Sequence, residues 1–61
     1  MGKSQFKIAA DFVVNHCIER ALRNPKDSDY YWAYVNFFTE INDKFDQDKF
    51  DEYILKRIYS S

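Results

Sequence analysis

The apolar residues of this 61-residue chain recur at spacings of three and four in three successive runs, with no strand-like alternation. A chain patterned this way buries its apolar surface by packing helix against helix. Residues 1–61 therefore read as one all-α domain, a helical hairpin with a short third helix.

The first helix is expected from about Ser4, a suitable N-cap, to Arg23. It stops before Asn24-Pro25, because the residue preceding proline avoids the helical region. Phe6, Ala9, Ala10, Val13, Cys17 and Ala21 share one face, which Val14, Ile18 and Leu22 widen. Ile8 and Phe12 lie near the opposite side, so the apolar arc exceeds what one partner helix covers. That excess predicts a homodimer formed through Ile8 and Phe12.

The turn from Asn24 to Ser28 leads to a second helix over about Asp29 to Phe45, capped by Asp27 or Ser28. Its stripe is Tyr30, Tyr34, Phe37, Ile41 and Phe45, with Tyr31, Val35 and Phe38 beside it. A third helix is expected over about Asp48 to Tyr59, capped by Asp46 or Asp48, with Phe50, Tyr53, Ile54 and Ile58 on one face. No Gly or Pro separates the second helix from the third. At 3.6 residues per turn, however, their apolar faces are offset by roughly 150°, which calls for a break near Asp46-Gln47. Val13, Cys17, Tyr34, Phe38 and Ile41 are the expected centre of the core.

One Trp, five Tyr and six Phe are more large rings than so small a domain can hide. A chain of this length buries only about 60% of the surface it exposes when unfolded and is marginal alone. An internal disulfide is excluded, since Cys17 is the sole cysteine. Oligomerisation, or docking on another protein, is what remains.

The formal net charge of -1 is too balanced for a protein that binds nucleic acid by neutralising phosphates. A basic first third and an acidic last third suggest pairing within the chain or head to tail. The stretch from Ile8 to Ile18 is broken by Asp11, Asn15 and His16, so it reads neither as a signal peptide nor as a membrane span, and the expected location is cytoplasmic.

Gly2-Lys3-Ser4 resembles the tail of a phosphate-binding loop but lacks the upstream glycine and strand. Asp46, Asp48 and Asp51 fail as a calcium loop, because Phe50 stands where an oxygen ligand is needed and no glycine follows. One His and one Cys, adjacent on a helix, make neither a zinc site nor a catalytic pair. His16 is expected at the surface, paired with Glu19 or Arg20, and Cys17 in the core.

These readings point to a non-enzymatic accessory or regulatory protein that binds another protein, with no cofactor and no metal. Small proteins of this style are common in bacteria and bacteriophages. Trp32 falls among polar residues on its helix, and Trp32, Asn36, Thr39 and Asp43 form the expected contact patch. A competing expectation folds Trp32 over the turn near Pro25. Tyr30, Tyr31 and Tyr34 are expected inside, with their hydroxyls at the edge. A helix-turn-helix nucleic-acid binder is the first alternative, disfavoured by the acidic starts of the second and third helices. A structural oligomer subunit is the second.

Overall fold

The computed structural model describes residues 2–60, with side chains described over 5–60. It is all-helical among those residues: α1 (Gly2–Glu19), a 3-10 turn (Pro25–Asp27), α2 (Asp29–Ile41) and α3 (Gln47–Ser60). With 14 residues against 13, α3 is no shorter than α2. The arrangement is a three-helix cluster around α1, which packs on both α2 and α3, rather than a hairpin with an appendage.

α1 starts earlier and stops earlier than its sequence suggests. Ser4 lies inside the helix rather than at its cap, and its side chain is outside the described residues. The helix ends at Glu19 because Ala21 turns into the left-handed region at φ 56°. The Leu22 N–H then donates to the Cys17 carbonyl at 2.8 Å, and the Ala21 N–H to the Ile18 carbonyl at 3.2 Å. This pair of bonds is a Schellman ending, with alanine at the position where glycine is usual. Leu22 folds back onto the core as that motif requires.

The segment after it is ordered by side chains. Asn24 accepts the Lys26 N–H at 3.0 Å and starts the 3-10 turn, in which Pro25 is buried. Ser28 occupies the N-cap position of α2 but makes no capping bond. Its hydroxyl is fully buried and shares a 2.7 Å hydrogen bond with His16 Nδ1 instead. His16 is therefore not the surface partner of Glu19 or Arg20; it is half-buried and stacks on Tyr30 at 4.4 Å.

α2 ends four residues before Phe45. Asn42 leaves the helical region at φ -150° and its side chain accepts the Lys44 N–H at 3.0 Å, an Asx turn that competes with the helix. Asp46 then caps α3, accepting the Lys49 N–H at 3.2 Å. The break that the phase of the apolar pattern calls for is present, but it spans Asn42 to Asp46 rather than centring on Asp46-Gln47.

The core is Ala9, Ala10, Val13, Val14, Cys17, Tyr31, Val35, Phe38, Phe50 and Ile54. Val13, Cys17 and Phe38 stand where expected; Tyr34 is only half-buried and Ile41 is exposed. The stripe of Tyr30, Tyr34, Phe37 and Ile41 is thus not the buried face of α2, which is turned toward Tyr31, Val35 and Phe38. The reason is tertiary. α1 and the 3-10 turn both bear on α2, and the face between them is the one closed. Phe38 sits at the junction, edge-on to Phe6 at 4.6 Å and to Phe50 at 6.1 Å.

Candidate functional interface

Tyr31 is the most perturbed group: its hydroxyl donates to Asp51 and accepts from Gln47 Nε2 at 2.8 Å. Burial, and then the hydrogen bond to Asp51, push its phenol up to about 12. The Tyr31 ring is fully buried, so the trio ties α2 to α3. The expected place for a tyrosine hydroxyl was the edge; the ladder from Gln47 to Asp51 gives it an interior partner instead. Cys17 is likewise enclosed, its thiol pushed up by burial and, to a lesser degree, by the charge of Asp27. No three His, Cys, Asp or Glu side chains converge on a possible metal position among the described residues. No described helix is long and apolar enough to cross a membrane.

The exposed apolar residues, by contrast, are organised. Ile8 and Phe12 are 57% and 52% exposed, and Phe37 and Ile41 are 54% and 58% exposed. Ile8, Phe37 and Ile41 line one groove between α1 and α2, about 350 Å³ in volume, with Tyr34 and Phe38 at its floor. Phe12 lies one turn from Ile8 on the same row of α1, and Tyr30 continues the α2 row toward His16. The sequence identified the α1 half of this surface. It missed the α2 half, whose signal was an apolar arc of α2 spanning both Phe37 and Tyr31, too wide for one neighbour to cover.

The accessible surface agrees. It measures 4672 Å², where a folded monomer of this mass has about 4,200 Å². No Asp, Glu, Lys or Arg is among the described residues that line the groove.

The Trp32 patch is separate. Trp32 Nε1 donates to the Lys26 carbonyl at 2.8 Å, and the ring meets Tyr31 edge-on at 5.0 Å. It folds onto the turn that carries Pro25, yet remains 42% exposed. Its place among polar residues thus has a local cause, a carbonyl that needs a donor. Asn36 and Thr39 are exposed on that side of α2, while Asp43 belongs to the turn after the helix. The structure brings Ile8 and Phe12 to one surface and leaves Trp32, Asn36 and Thr39 on another.

Among the described residues, no ion pair within the chain joins a base of its basic first third to an acid of its acidic last third. The ion pair that joins α1 to α3 is Asp11 with Arg57, acid from the basic third and base from the far end. Comparison of the chain with family models, with curated proteins and with solved structures gave no match.

Proposed function

We propose that this chain is a non-enzymatic interaction module that works as a homodimer through the α1–α2 groove. One observation carries the reading: Ile8, Phe12, Phe37 and Ile41 are each more than half exposed on one side of the molecule. Two such faces, apposed about a two-fold axis, complete a helical bundle and bury rings that the monomer leaves wet. A free amphipathic helix in the same groove is the rival occupant. The far side of α2, with Trp32, Asn36 and Thr39, stays clear of the dimer face and is the surface for a further protein. The buried thiol of Cys17 suits a reducing, cytoplasmic setting.

Sedimentation equilibrium of the purified chain at micromolar concentration tests this. A dimer is expected, with Ile41→Ser and Phe37→Ser each weakening it at least tenfold. Because the described residues lining the groove carry no charge, added salt should not loosen the dimer. A monomer at high concentration overturns the reading. So does a dimer that loosens with salt, since that would be head-to-tail pairing of opposite charges. A larger, open-ended assembly would favour a structural subunit.

A further inference from the structure

The aromatic junction around Phe38 is open on one side. Phe6 and Phe45 are only half-buried, although each packs on Phe38, at 4.6 and 5.4 Å. The opening is a pocket of about 460 Å³ between the start of α1, the α2–α3 turn and the start of α3. Phe6, Phe45, Phe50 and Tyr53 form its apolar wall. That volume lies within the ordinary range for small-molecule sites, which are apolar with a few placed polar groups.

The polar lining holds three lysines beside Asn42 and Asp46. Lys7, Lys44 and Lys49 stand at the mouth, one from each of the three segments that meet there. All three are exposed, and none is in an ion pair with a described residue. The acid lining the pocket is Asp46, whose carboxylate already accepts the Lys49 backbone N–H. Among the described lining residues three cations thus stand against one acid, over an apolar wall.

The rings also limit the shape of an occupant. Phe6 meets Phe45 at 43° and Phe45 meets Phe50 at 63°, with centroids 5.4 and 5.6 Å apart. Rings tilted this way present edges and faces at different angles rather than one flat platform, a surface that a flexible alkyl chain can follow.

We propose that this pocket binds a linear fatty carboxylate of medium chain length, with the alkyl chain on the Phe6–Phe45–Phe50 wall and the carboxylate among Lys7, Lys44 and Lys49. The site is distinct from the α1–α2 groove and does not depend on dimerisation.

Calorimetric titration of the full chain with decanoate, decanol and decyltrimethylammonium tests the proposal, all held below their aggregation concentrations. Decanoate is expected to saturate one site per chain, at least tenfold tighter than the cation and severalfold tighter than the alcohol. Lys44→Gln with Lys49→Gln should weaken decanoate at least tenfold; both residues are exposed, so the fold should persist. Ile41→Ser, in the other groove, should leave decanoate binding unchanged. No saturable decanoate binding, equal binding of anion and cation, or loss of binding in Ile41→Ser with retention in the lysine variant would each overturn it.

Discussion

Tyr31 holds the largest residue-scale consequence. In the unfolded chain its phenol ionises at the ordinary value near 10, while in the fold it holds its proton up to about 12. Between those values the unfolded chain releases a proton that the folded chain keeps. The contribution is complete below about pH 10 and declines as pH rises toward about 12, by about 2–3 kcal/mol at most. Denaturant titrations from about pH 8 upward should show that alkaline fall, and Tyr31→Phe should remove its slope. The same variant should cost about 1–3 kcal/mol at neutral pH, because Asp51 loses its donor. Ala21 gives the opposite kind of prediction. At φ 56° its Cβ is strained, so Ala21→Gly relieves about 1–2 kcal/mol. Against this stands the greater freedom of glycine when unfolded, leaving a net stabilisation of about 0.5–1 kcal/mol, readable as a rise in melting temperature. The sequence showed no hint of that turn, since alanine is a helix former and only the Pro25 boundary was visible.

At the scale of elements, the three helices and a break between α2 and α3 were legible because each rests on local chemistry, and Asp46 is the one of the two candidate caps that the structure uses. Helix ends were not. α1 stops at Glu19 and α2 at Ile41, both earlier than periodicity suggests, through a left-handed alanine and an Asx turn. Periodicity reports which face is apolar, not where a side chain will intercept the backbone. The elements meet at Phe38, which touches Phe6 on α1, Phe50 on α3 and Phe45 in the turn between. Phe38→Ala should cost about 3–5 kcal/mol by transfer and cavity terms together. In so small a domain that is enough to abolish the cooperative melt followed by circular dichroism. An unchanged melting temperature would mean that the junction does not hold the helices together.

For the whole molecule, stability and association are one question. If the α1–α2 groove closes on a second copy, the melting temperature should rise with protein concentration, and Ile41→Ser should flatten that dependence. Ile8 and Phe12 were readable as surplus from the sequence, because no single partner helix could cover them together with Val13 and Cys17. Phe37 and Ile41 were not, because α2 is apolar over a wide arc and either half of it could have turned inward. The α1 and 3-10 turn contacts chose Tyr31, Val35 and Phe38, and the rest of the arc was left outside. Trp32 shows the same division. Its helical position was plain, but the Lys26 carbonyl it serves comes from a turn whose path depends on Ala21, Asn24 and the buried Ser28–His16 bond. The residue pattern alone established that the chain is helical, that a break parts its second helix from its third, and that it carries more apolar surface than one small domain can enclose. Which of those apolar residues face solvent was decided only in the tertiary structure, because burial belongs to neighbours brought in from distant parts of the chain, whereas periodicity belongs to the helix alone.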